Sequence, residues 1–137
     1  MNPKRVAGWI FRYINQERKK RGLKKLKSDK ILINEAIRLA MNERGTIHYA
    51  TKNQRHRDVA RRIVNDWLNN PNQRATILNK RYTHMGIGVH IYWDIGRKEY
   101  KIYVAKRFKS ENKRNNKIRK KKNNNLTKFI RNFKLKK

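Results

Sequence analysis

The residues that could do chemistry here are few. His48, His84 and His90 are potential metal ligands or acid–base groups, and imidazole with carboxylate suits zinc-like ions. A metal needs several such donors to converge. The acids that next follow His48, Asp58 and Asp66, read as a helix cap and a helix-surface charge. His84 and His90 fall in a turn and a strand, where a histidine is ordinarily a packed or exposed residue. Cysteine is absent, which excludes disulfides and thiolate metal sites. A serine nucleophile needs a base and an orienting acid brought together with it, and Ser28 and Ser110 lie in a helix cap and in the tail. The nine acids are scattered, most next to a basic residue, so they do not suggest the carboxylate pair of a glycosidase. No Gly-rich phosphate loop or Walker sequence is present. These residues predict no catalysis, no cofactor and no metal.

The elements that would hold these residues follow from periodicity. Val6, Trp9, Ile10, Tyr13 and Ile14 share one helical face, and Gly22 is a stop signal. Ser28 offers a cap to a second helix carrying Leu32, Ala36, Leu39, Ala40 and Glu43, which Gly45 ends. Residues 46–53 are expected to cross irregularly. Asp58 is expected to cap a third helix with Val59, Ile63, Trp67 and Leu68. Pro71 lacks an N–H and biases Asn70 out of helical geometry, forcing a corner before a short helical turn from Arg74 to Leu78. Ile87, Val89, Ile91 and Trp93 then alternate with Gly88, His90 and Tyr92 as a strand. Gly86 and Gly88 leave one side of it bare, open to close approach by another backbone. A turn through Gly96 leads to a return strand in which Tyr100, Ile102 and Val104 alternate with Lys101, Tyr103 and Ala105.

The corner carries a resemblance. Trp67, Asn70-Pro71, Arg74, Ile77-Leu78-Asn79, then Tyr82-Thr83, Gly86 and Gly88-Val89 resemble the C-terminal signature of the CAP superfamily, which groups cysteine-rich secretory proteins, antigen 5 and pathogenesis-related 1 proteins. Upstream, Ile14-Asn15-Gln16-Glu17-Arg18, Gly22-Leu23, Leu26 and Asp29 are similar to the family's opening motif. The resemblance covers residues 6–108. It implies an α+β fold, an α-β-α sandwich with N-terminal helices and a small antiparallel sheet ending in a C-terminal hairpin. It also implies a cavity in which two histidines and two acids can hold a divalent metal. His48 matches the first histidine, Gln73 stands where the second belongs, and the glutamate-bearing segment between them is missing. His48 is therefore a vestigial candidate ligand, and Arg74 is expected to bond the corner together.

Charge is the remaining signal. The chain has 137 residues, 39 Lys and Arg against 9 Asp and Glu, and a formal net charge of +30. Such an excess repels itself in a compact fold, and an anionic partner relieves it. Residues 109–137 hold 13 basic residues and one acid, leaving 26 against 8 in residues 1–108. One reduced domain over 1–108 and a Lys/Arg/Asn-rich arm over 109–137 are expected.

The leading expectation is a non-catalytic protein binding polyanions, most simply nucleic acid without sequence specificity. Its candidate contacts are Arg55, Arg57, Arg61, Arg62, Lys80 and Arg81 in the body, and Lys113, Arg114, Lys117, Arg119, Lys120, Lys121 and Lys122 in the arm. Leu126, Phe129, Ile130 and Phe133 recur at i, i+3, i+4 and i+7, predicting a terminal basic amphipathic helix over about residues 125–135. That helix would dock on the protein itself, on a partner protein or on an anionic membrane. A structural component of a virion or nucleoprotein assembly is the second reading. A metal-dependent or lipid-binding protein is the third. No secretory signal or transmembrane run is visible, so an intracellular or virion-associated location is expected, with a secreted one if the sequence is a mature form.

Overall fold

The structure, a computed structural model, describes residues 1–111. The arm contacts expected from Lys113 to Lys122 and the helix expected over about 125–135 lie outside the described residues. Helix α1 (Pro3–Lys20) begins at Asn2, whose side-chain oxygen accepts from the backbone N–H of Lys4 at 2.9 Å and Arg5 at 3.3 Å. Pro3 sits in its first turn, where a missing N–H costs nothing. Val6, Ile10 and Ile14 are fully buried on its inner face, and Gly22, at φ 70°, turns the chain beyond its end.

Strand β1 (Lys27–Ser28) leads to helix α2 (Lys30–Met41). Its cap is Asp29, accepting from Leu32 N at 2.9 Å, and not Ser28, which belongs to the strand. The helix ends at Met41, and Glu43, at φ 60°, makes the first left-handed step in place of the expected stop at Gly45. The stretch expected to be irregular instead contains strand β2 (Thr46–Ala50). Its inward residues include His48 and Ala50, while Ile47 is 50% exposed, so its apolar pattern is inverted.

Helix α3 (His56–Leu68) has Arg55 at its cap position with no side-chain cap bond. Asp58 lies inside the first turn, where its charge complements the helix dipole, and does not cap. Helix α4 (Pro71–Ile77) starts at the proline itself, earlier than expected, with Asn70 accepting from Asn72 N at 3.0 Å and Gln73 N at 3.2 Å. Strands β3 (His84–Asp94) and β4 (Glu99–Lys109) form the predicted hairpin.

The sheet order is β1-β3-β4-β2. The two-residue β1 runs parallel to β3 and makes the sheet mixed, while the other pairings are antiparallel. Period-2 alternation divides the sheet residues between two faces. Met85, Ile87, Val89, Ile102 and Val104 pack with Val6, Ile10, Ile14, Ile63, Val64 and Trp67 into the main core. At about 1.5–3 kcal/mol per buried large side chain, this layer is the chief source of stability. On the other face Tyr103 and Ala105 pack against Ala36 and Ala40 of α2. Gly86 and Gly88 admit that helix, because a Cβ would stand 2.3 Å from Ile33 N and 2.1 Å from the Ala36 carbonyl carbon respectively. Helix layer, sheet and helix layer give the α-β-α sandwich and the α+β class.

Candidate functional site

The pattern that puts His48 indoors also fixes its neighbours. Its Nε2 lies 2.7 Å from Thr46 Oγ1, which also accepts from Trp67 Nε1 at 3.2 Å. Burial lowers the imidazole pKa to about 4, with help from the charges of Arg62 and Lys106, so His48 is neutral at pH 7. Asp66 Oδ2 approaches Nδ1 at 3.8 Å, a polar approach to an uncharged ring and not an ion pair. Across the site, Lys106 from β4 places its ammonium 3.8 Å from the centroid of the Trp67 ring and donates to Gln73 Oε1. Burial pulls its pKa down to about 8. Lys106, Gln73 and Thr46 line a cavity of about 370 Å³ with Leu39, Thr76 and Phe108.

A second constellation lies at one end of the sheet. Arg18 is fully buried and makes its bonds to backbone carbonyls: Nε to Lys24 at 2.9 Å, and one terminal nitrogen to Ile77 and to Asn79 at 3.0 Å each. It holds the loop after α1 against the turn before β3. Asn15 fixes the same loop by exchanging two bonds with the Leu26 backbone, at 3.0 and 2.8 Å, and Lys27 N bonds Thr83 O at 2.9 Å. Lys19, Lys20, Arg21, Lys24, Lys25 and Lys27 are thereby brought beside Lys80 and Arg81, all of them exposed. Of the carboxylates at this end, Glu17 is buried under Arg21, Arg61 and Lys20, and Asp29 and Glu111 pair with Lys109 at 2.7 and 3.0 Å. The chain leaves β4 at this same end, where Glu111 N bonds Thr83 Oγ1 at 2.9 Å.

The CAP family, the cysteine-rich secretory protein family, matches residues 11–106. The chain belongs to the CAP family. Its fold is similar to that of an outer surface protein from Borrelia burgdorferi, at 20% identity over 81% of this chain and 97% of that one, TM-score 0.54. It is also similar to MpPR-1i, at 16% identity over 79% of this chain and 93% of that one, TM-score 0.58. A search of curated proteins finds no match. This CAP domain does not fit the divalent metal that the resemblance implies. Gln73 replaces an imidazole, the glutamate segment is missing, and the Lys106 ammonium repels a cation beside Gln73. Among the described residues no three His, Asp or Glu side chains converge. His84 bonds Thr83 at 2.7 Å and His90 packs near Tyr92 and Tyr103, so neither joins His48.

The basic contacts expected from sequence divide in two. Arg55, Arg57, Lys80 and Arg81 lie at the surface. Arg61 is bonded to Glu17 and lies over Tyr13, and Arg62 donates to the Tyr49 carbonyl, so both have internal work. Arg74 reaches the Leu68 carbonyl at 3.5 Å, a weak bond across the corner. Sequence reasoning missed the cluster from Lys19 to Lys27. Its density of Lys and Arg was a visible signal, but its proximity to Lys80 and Arg81 depends on the Arg18 staple.

Proposed function

We propose that this CAP domain is a non-catalytic binder of polyanions, nucleic acid foremost, that reads charge and not sequence. The observation supporting this is the grouping of exposed Lys19, Lys20, Arg21, Lys24, Lys25, Lys27, Lys80 and Arg81 at the end from which the basic arm departs. Displacing condensed counterions from several phosphates supplies binding without any base contact. Arg81 offers a forked contact to phosphate oxygens, and the lysines offer point charges. Arg55 and Arg57 flank His56, whose Nε2 accepts from Asn2 N at the far end of α1, and form a separate basic patch, while Lys113, Arg114, Lys117, Arg119, Lys120, Lys121 and Lys122 of the arm are further candidate contacts. An intracellular or virion location belongs to the same proposal. The test is anisotropy with a labelled 20-mer RNA and a 20-mer DNA duplex, comparing the wild type with the quadruple Lys24→Ala, Lys25→Ala, Lys80→Ala, Arg81→Ala variant. A loss of about tenfold or more, equal for scrambled sequences, is expected. Unchanged affinity would remove the basic end from the account.

A further inference from the structure

β1 pairs only with His84 and Met85 of β3, and from Ile87 onward the outer edge of β3 has no strand partner among the described residues. Helices α1 and α2 flank this edge and leave a groove of about 540 Å³ between them. Ile87 and Val89 line its floor, Gly8 and Phe11 one wall, Ile33 and Ile37 the other. Among the described residues that line it, Lys4 and His90 alone are ionisable, and Met41, at one end, is 61% exposed. An apolar groove beside an open sheet edge is a surface that proteins ordinarily cover.

We infer that residues Leu126–Phe133 of this same chain dock as a helix in the groove between α1 and α2. Three observations select that occupant. The lining residues run from Pro3 to Phe11 on α1 and from Ile33 to Met41 on α2, about 13 Å of helix each at 1.5 Å per residue. The repeat Leu126, Phe129, Ile130, Phe133 makes an apolar stripe about 11 Å long, which fits that length, and leaves Lys128, Arg131 and Lys134 off the stripe. The connection also reaches. Lys109 pairs with His84 and Glu111 bonds Thr83, so the chain departs where β3 begins. Residues 111–126 can extend about 50 Å, whereas Val89 lies about 17 Å along the strand from His84. Tethering makes the encounter intramolecular, so a weak contact is enough to fill the groove. The docking does not depend on the polyanion reading.

The test is hydrogen exchange by mass spectrometry on the full chain at two concentrations tenfold apart. Protection of the amides of 126–133, about tenfold or more above that of 113–122 and independent of concentration, is expected. Gly8→Trp should abolish it without lowering the melting temperature, because a Cβ at Gly8 meets nothing within 4 Å and the new ring enters the groove. Phe129→Asp, which alters the segment alone, should abolish it too. Absence of protection, or protection that survives both substitutions, would overturn the inference. Protection that grows with concentration would assign the groove to a second copy. Protection seen only with phosphatidylcholine or phosphatidylglycerol vesicles would assign it to lipid. Either result refutes docking in cis.

Discussion

The Lys106 ammonium stands 3.8 Å from the Trp67 ring centroid, held by an aromatic face and the Gln73 amide, with no carboxylate partner among the described residues. A half-buried ammonium with such partners titrates early, at about 8. In the unfolded chain the same amine keeps its proton to about 10.5. Between those values the unfolded state binds more protons, so folding stability should rise with pH over that window. Lys106→Met is expected to stabilise the protein by about 1–2 kcal/mol at pH 7, after the lost cation–π contact is discounted, and to flatten the rise. Urea denaturation at pH 7 and pH 9.5 measures both. A wild type equally stable at the two pH values would contradict the assignment.

Glu17 titrates in the opposite sense. Burial pushes its carboxyl up, but the bonds from Arg21 and Arg61 outweigh burial and hold it at about 2. A depressed carboxylate contributes stability above the ordinary value near 4.5, lost as pH falls toward 2. Glu17→Gln should cost about 2–3 kcal/mol at neutral pH and shrink the acid-induced loss between pH 4.5 and 2. Acid titration of the melting temperature checks this.

Gly88 and Gly8 make a matched pair. Gly88→Ala drives a Cβ to 2.1 Å from the Ala36 carbonyl carbon and must lift α2 from the sheet, at an expected cost of about 3 kcal/mol or more. Gly8→Ala, in open space within a helix, should be neutral or stabilising by up to about 1 kcal/mol. Thermal unfolding of both variants decides whether close helix–strand packing, and not loss of glycine as such, is the cause.

Zinc gives a third contrast. A ligand at a hundred times its dissociation constant would stabilise the fold by about 2.7 kcal/mol. With Gln73 and Lys106 beside His48, zinc should leave the melting temperature of wild type and His48→Ala equally unmoved. A zinc-dependent rise that His48→Ala abolishes would restore a metal to His48.

The glycines at 86 and 88, the Pro71 corner and the hairpin were legible because each depends on what a residue type does locally. Strand β2 was not, since its inward positions include His48 and Ala50 while Ile47 faces out. Ser28 and Asp29 are adjacent candidate caps, and only the backbone distinguishes them. The basic end was half legible. Lys80 and Arg81 stood among the candidate contacts, but Arg18 was legible only as part of a motif, and its burial and its carbonyl bonds show it joining two loops distant in sequence. Lys106 was hidden for the same reason, because a lysine on a strand does not announce that its ammonium points inward.

The most direct measurement of the central claim is the salt dependence of nucleic-acid affinity for the full chain between 50 and 200 mM salt. With about five or more phosphates engaged, log K should fall against log salt with a slope of about −4 or steeper, alike for unrelated sequences. Binding that ignores salt, or no binding in dilute buffer, would contradict it.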